Sequence, residues 1–202
     1  FDHNDVIELA KYADIPVING LTDLNHPCQV LSDLLTIYEK KGRLEGLKLA
    51  YVGDGNNVAH SLMFGGAKVG MDISVVCPKG YEPLKEITEL SQEDAKATGA
   101  KIVVTNDIDE GVAGADIIYT DVWVSMGQEK ETAKKRKAFA KYRVDDKLLA
   151  KTGKDTKVLH CLPAHRGEEI TDEVMDGPSS IVFDQAENRL HCQKAVMCAL
   201  MV

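Results

Sequence analysis

Residues able to bind or activate a small molecule gather in five short segments of this 202-residue chain. In the first, His26 and Gln29 stand one helical turn apart. Both can hydrogen-bond one carbonyl oxygen, helped by the positive potential of a helix N-terminus. Read alone, such a histidine is more commonly a hydrogen-bonded surface residue. The second segment, Gly53-Asp54-Gly55-Asn56-Asn57-Val58, has glycines for a tight turn before a helix that would favour an anion. Val58 replaces the third glycine of G-x-G-x-x-G, and Val76-Cys77-Pro78 offers no acid for a ribose hydroxyl. Both points weigh against a nicotinamide dinucleotide. What remains is an Asn56 or Asn57 amide offered to a small anionic substrate, or a plain turn.

The third segment runs from Asp121 through Ser125, Met126 and Gly127. A carboxylate, a hydroxyl and backbone amides suit an amino-acid head group. The plain alternative makes Asp121 a cap and Trp123 a core residue. The fourth, His160-Cys161-Leu162-Pro163, puts a thiol at a strand end, where a nearby cation would lower its pKa. Its alternative is a buried structural cysteine. The fifth holds Arg189, whose guanidinium can fork onto a phosphate or pair with Glu187.

Strands and helices alternate along the chain and would carry these segments. Strand candidates are residues 16–18, 47–52, 73–77, 101–105, 116–120, 157–160 and 180–183. Several are continuously apolar, as in a parallel sheet covered on both faces. Helix candidates are residues 4–12, 27–41, 58–68, 84–98, 128–142 and 186–200. In the second of these Val30, Leu31, Leu34, Leu35 and Tyr38 recur at helical spacing, with Pro27 suited to the first turn and Gly42 to the stop. Lys134, Lys135, Arg136 and Lys137 read as a solvated helix face. The pattern predicts an α/β fold with a doubly wound, mostly parallel sheet and helices on both faces. In such a sheet, ligands bind beyond the carboxyl ends of the strands.

Composition excludes several classes. Lys plus Arg is 24 and Asp plus Glu 32, a formal charge of −8. That argues against general binding to nucleic acid or anionic membranes. No apolar run reaches the roughly 20 residues of a membrane helix. The chain does not begin with Met and shows no signal peptide, which leaves a fragment or a processed product among the expectations. The cysteines (Cys28, Cys77, Cys161, Cys192 and Cys198) are odd in number and lack C-x-x-C spacing. A reducing compartment fits them better than a disulfide framework.

The segments HPCQVLSDLLTIYE, GDGNN, PKGYEP, DVWVSMGQE, HCLPAHRGEE and AENR, in this order, closely resemble the ornithine carbamoyltransferases. Ser-Met-Gly and His-Cys-Leu-Pro set these apart from the related aspartate enzymes. The resemblance implies transfer of a carbamoyl group from carbamoyl phosphate to L-ornithine, giving L-citrulline and phosphate, with no cofactor and no metal. It places His26, Gln29, Cys161, Leu162 and Arg189 at carbamoyl phosphate. Asn57, Asp121, Ser125 and Met126 match the ornithine positions, and Asp121 and Cys161 also carry active-site roles. It further implies a homotrimer in the cytoplasm, or in the mitochondrial matrix of a eukaryote.

The family's Ser-Thr-Arg-Thr phosphate loop does not occur here. The expected division is therefore residues 1–45 as the end of a carbamoyl-phosphate domain with its linking helix, 46–185 as the ornithine-binding domain and 186–202 as a returning helix. Turnover by this chain alone is expected to be poor. Apolar side chains on the two bridging helices, Leu31, Leu35, Val196 and Leu200, are expected to lose part of their cover and favour association. The competing expectations are a related carbamoyltransferase acting on another amine and a noncatalytic amino-acid-binding module.

Overall fold

The computed structural model describes residues 2–124 and 132–201. In chain order, α1 (His3–Tyr12) and α2 (Pro27–Lys41) precede β1 (Lys48–Val52), α3 (Asn57–Val69), β2 (Asp72–Val76) and α4 (Lys85–Ala95). Then follow β3 (Ile102–Thr105), α5 (Ile108–Val112), β4 (Ile117–Thr120), α6 (Thr132–Phe139) and α7 (Asp146–Ala150). β5 (Lys157–His160), α8 (Asp172–Met175) and α9 (Val182–Leu200) close the chain. The strands make one parallel sheet in the order β3-β2-β1-β4-β5.

Alternate strand residues point to opposite faces, and both faces are covered. On one, Leu49, Tyr51, Ile73, Val75, Ile117, Tyr119 and Leu159 pack with Val30, Leu34 and Ile37 of α2 and with Val58, Leu62 and Met63 of α3. On the other, Ala50, Val52, Val76, Ile118 and Val158 meet Phe139, Tyr142, Leu148, Val174 and Val182. This double burial is why the strands read as continuous apolar runs. Among the described residues no helix is long and apolar enough to cross a membrane.

Two strand expectations fail. Residues 16–18 form no strand; Pro16 lacks an N–H, and among the described residues no strand pairs with them. At 180–183 the sheet pairing shrinks to a single bridge between Ser180 and Val158, in which the Ile181 N–H donates to the Val158 carbonyl at 3.0 Å. The chain turns helical at Val182, so α9 starts four residues before the expected 186. The expected helix at 128–142 is described over Thr132–Phe139. Helices α5, α7 and α8 were not anticipated, because four or five residues show no period. Each is held by a side-chain cap, Asp107, Asp145 or Thr171.

The sequence also misjudges the inner face of α2. Leu31 and Tyr38 are exposed, whereas Gln29, Ser32, Asp33 and Thr36 are buried. These polar residues face α9, where Ser32 Oγ donates to the Gln185 carbonyl at 3.0 Å and Asn188 Nδ2 donates to Thr36 Oγ1 at 3.0 Å. Of the apolar residues expected to lose cover, Leu31 and Leu200 are exposed, and Leu35 and Val196 are half-buried.

Gly55 shows how tightly the loop after β1 is packed. A Cβ there would lie 2.2 Å from the Pro83 nitrogen and 2.4 Å from the Glu82 carbonyl carbon. Neither backbone atom can move without shifting its own segment. Gly55→Ala is expected to cost about 1–3 kcal/mol in a denaturant titration; a variant within about 0.5 kcal/mol of the parent would show that the 82–83 segment yields freely.

Candidate functional site

The strand order reverses between β1 and β4, the place where doubly wound sheets open a crevice. Asn56 follows β1 and caps α3, its Oδ1 accepting from the Val58 and Ala59 N–H groups. That bonding fixes the amide, so Nδ2 points across the crevice and donates to Asp121 Oδ2 at 2.8 Å. Asp121, directly after β4, is 7% exposed. Its Oδ1 accepts from the Val122 N–H at 2.8 Å and from the Cys161 thiol, after β5, at 3.0 Å. Three strand ends thus meet at one carboxylate.

The thiol expectation is reversed. Burial, then the neighbouring Asp121 charge, push the Cys161 thiol well above its ordinary value. No cation dominates here, so Cys161 is a protonated donor rather than a thiolate.

A second cluster sits between α2 and α9. His26 caps α2 without a side-chain bond and is itself held by α3, its N–H donating to Ser61 Oγ at 2.7 Å. The next turn of the same clamp is His60, whose ring nitrogens meet the Leu24 carbonyl at 2.9 Å and the Leu84 N–H at 3.2 Å. Burial, then the charge of Arg189, lower His26 to about 4, with Asp121 opposing. Among the described residues its Nδ1 is buried without a partner in hydrogen-bond geometry, although the Gly20 backbone stands near enough to favour the charged form slightly. Arg189 Nη1 donates to Gln29 Oε1, and its Nε and Nη2 face Gln193, whose Oε1 accepts both once that amide is turned. Among the described residues no carboxylate lies within ion-pair distance of Arg189, so the expected pairing with Glu187 does not form; Glu187 meets His191 instead.

Gln29 Nε2 spends one of its two N–H groups on Asp33 Oδ1, at 2.9 Å. Oε1, an acceptor, is the atom turned towards Arg189. Asp33 is fully buried, and burial lifts its carboxyl to about 7 against the bonds from Gln29 and Gln185.

The segment after β5 is pinned by a residue pair that sequence reasoning missed. His160 Nε2 lies 3.1 Å from Glu169 Oε1, and both side chains are buried. His160 Nδ1 accepts the Leu162 N–H at 2.9 Å, which makes Nε2 the protonated nitrogen. Leu162 is held at φ 56°, before a cis bond to Pro163. One atom each from Asp121, His160 and Cys161 lie within 4.8 Å of one another, a set that soft divalent metals accept. Both nitrogens of His160 are engaged elsewhere, by Glu169 and the Leu162 N–H, and within the trio the hydrogen bond is the one from Cys161 to Asp121.

Two other expectations change. Lys135 is not part of a solvated face: it is 3% exposed and pairs with Asp54 at 2.5 Å. Its neighbour Arg136 reaches Glu168, so α6 is tied to two of the site's loops. Asn57 sits beside the crevice, with Nδ2 donating to the Thr22 carbonyl at 2.6 Å rather than to Asp121. Ser125 and Met126 lie outside the described residues. An apolar groove of about 330 Å³ between α2 and α3, lined by Val30, Leu31, Leu34 and Phe64, contains none of the anticipated site residues.

Known proteins bear on this arrangement. Residues 45–200 match the family described as aspartate/ornithine carbamoyltransferase, Asp/Orn binding domain. The chain belongs to this family. Residues 1–39 match its carbamoyl-P binding domain. The ornithine carbamoyltransferase of Carboxydothermus hydrogenoformans is 56% identical over 201 residues, covering 100% of this chain and 65% of that protein. The one from Oceanobacillus iheyensis is 59% identical over 201 residues, covering 100% and 62%. This chain therefore spans somewhat under two-thirds of these curated relatives. Among solved structures, Pyrococcus furiosus ornithine carbamoyltransferase superposes with a TM-score of 0.94 at 54% identity, covering 99% of this chain and 64% of that one. The Gloeobacter violaceus enzyme gives 0.93 at 54%, covering 100% and 68%. Family membership accounts for the doubly wound sheet.

The depressed His26 value has a testable sign. Folding selects the neutral imidazole, so its contribution is present above the ordinary histidine value of 6.5 and is lost as pH falls through about 4. An NMR titration should find one histidine with a midpoint near 4. The parent should lose stability relative to His26→Gln between pH 6.5 and 4; a difference that does not change with pH would contradict this environment.

Proposed function

We propose that this chain serves the ornithine carbamoyltransferase reaction: the carbamoyl group of carbamoyl phosphate passes to the δ-amine of L-ornithine, giving L-citrulline and phosphate. The observation that carries this reading is the meeting of Asn56, Asp121 and Cys161 at the switch point, with Arg189 and Asp121 both acting on His26. The high identity to proteins named ornithine carbamoyltransferase supports it.

In this reading Asp121 holds the α-ammonium of ornithine, a charge-assisted bond, and Asn57, Ser125 and Met126 complete the amino-acid site. Cys161 stands near the δ-nitrogen. That nitrogen attacks only when neutral, and a free amine of pKa about 10.4 is mostly charged at neutral pH, so the site must favour the deprotonated form. The attack builds negative charge on the carbamoyl oxygen. A neutral His26 N–H can stabilise it, while Gln29 and the segment at Cys161 and Leu162 hold the carbamoyl nitrogen. Arg189, bonded to amides among the described residues, has its charge available for the donor's phosphate. Phosphate then leaves with the electron pair of the broken C–O bond and takes up the proton that the attacking nitrogen sheds. Orienting two substrates supplies much of the rate gain, and the scheme calls on no cofactor or metal.

The division into residues 1–45, 46–185 and 186–202, the homotrimer and the cytoplasmic or mitochondrial-matrix location belong to the same reading. The test is citrulline formation by the intact protein given carbamoyl phosphate and L-ornithine, repeated with Asp121→Asn. The parent should form citrulline, and the variant should lose roughly 10- to 100-fold in kcat/KM with a raised KM for ornithine. Putrescine, which lacks the α-carboxylate, should compete poorly. A parent that forms no citrulline, or a variant with the parent's ornithine KM, overturns the assignment.

A further inference from the structure

Gln29 and Asp33 are four residues apart on α2, so their side chains lie over one another on the buried face. Asp33 Oδ1 is an acceptor here, since the Gln185 amide N–H is directed at it as well. Whatever side-chain amide meets it must present N–H, and Gln29 does so, Nε2 to Oδ1 at 2.9 Å. Asp33 is itself held from α9: Gln185 Nε2 donates to the same Oδ1 at 2.7 Å and to the Tyr119 hydroxyl at 3.1 Å. The other end of Gln185 accepts the His160 N–H at 2.9 Å, the residue before Cys161. Gln185 is thereby satisfied at both ends, and neither it nor Asp33 is free to turn. A glutamine amide left to itself could present either its oxygen or its nitrogen. Here only Oε1 faces Arg189, and that sp² oxygen has a second lone pair to offer.

We propose that Asp33 is a positioning residue for the carbamoyl donor: it locks the Gln29 amide with its oxygen outward, so that the site accepts an N–H from the donor's –NH₂ group. The inference rests on the proposed function and deepens it, because it says how the site tells a carbamoyl group from an acyl group of the same shape. Acetyl phosphate has the same carbonyl and phosphate but a methyl in place of –NH₂. It gains nothing from an outward oxygen, whereas carbamoyl phosphate does.

The experiment compares the intact parent with Asp33→Ala, measuring KM for carbamoyl phosphate and the inhibition constant of acetyl phosphate as its competitor. Asp33→Ala should raise the first roughly tenfold and leave the second within about twofold, since one hydrogen bond to the –NH₂ group is at stake. A general loosening of α2 and α9 would weaken both alike, and that result, or no change in either, overturns the proposal. Should Asp33→Ala not fold, Asp33→Asn is read instead. One orientation of its amide keeps the acceptor and the other opposes Gln29, so the ratio of the two constants should shift by about threefold in the same direction; an unchanged ratio overturns the proposal. A parent that forms no citrulline removes the functional reading and this inference together. An active parent with an unaltered ratio in the variant removes this inference alone.

Discussion

Asp121 is nearly buried, and a carboxylate in that position needs donors on every side. The donors come from three strand ends: the Asn56 amide after β1, its own Val122 N–H after β4 and the Cys161 thiol after β5. The sheet puts these ends side by side because β1 lies against β4 and β4 against β5. Asn56 must also cap α3, which spends its oxygen on the Val58 and Ala59 N–H groups and leaves only its nitrogen for the carboxylate. A helix start, a strand order and an acid's need for partners therefore select one geometry. Cys161 is a consequence of it: beside an anion and out of water, the thiol keeps its proton.

The α2–α9 seam follows the same logic with different groups. Two helices usually meet through apolar stripes, but here Gln29, Ser32, Asp33 and Thr36 face Gln185 and Asn188. Burying so many polar groups is tolerable only if nearly all are paired, since each unpaired one costs about 1–3 kcal/mol. Most of them are. Thr36 bonds back to the Ser32 carbonyl, and Asn188 reaches both Thr36 and Glu39. An apolar seam would let the helices slide or rotate with little penalty. A paired polar seam has one register, and that register fixes Gln29 and Arg189 relative to each other across 160 residues of sequence.

How much of this the sequence disclosed depends on whether a feature repeats. β1, β2, β4 and β5 were visible because burial on both faces leaves largely apolar runs, while the edge strand β3 showed through its β-branched residues although Val103 is exposed; the segments at 53–58, 121–127 and 160–169 stood out because chemistry-bearing residues cluster at strand ends. Asp33 and Gln185 were not visible. Each is an ordinary polar residue on a helix until its partner 152 residues away is known. Lys135 was misplaced for a related reason. Four consecutive basic residues look uniformly solvated, yet a helix turns them to four directions, and one of those directions meets Asp54. Residues 180–183 misled because three apolar residues after a serine cannot tell a strand edge from the first turn of a helix.

The cations of the site differ in charge for a structural reason, and that difference suits two tasks. Arg189 is half-buried and bonded to amides, partners that orient a guanidinium without neutralising it. His26 is more deeply placed and has that guanidinium for a neighbour, so adding a second positive charge there is unfavourable twice over, by desolvation and by repulsion. The amide partners of Arg189 leave its charge unneutralised, while His26 is held neutral across the physiological range. In the proposed reaction a dianionic phosphate needs the first, and a carbamoyl oxygen that gains charge only as the bond forms needs the second, because a permanent cation beside it would grip the resting donor as firmly as the transition state. The arrangement therefore separates binding of the donor's phosphate from stabilisation of the reacting oxygen. The separation arises from burial: α3 clamps residues 24–26 inward while α9 leaves Arg189 at the rim.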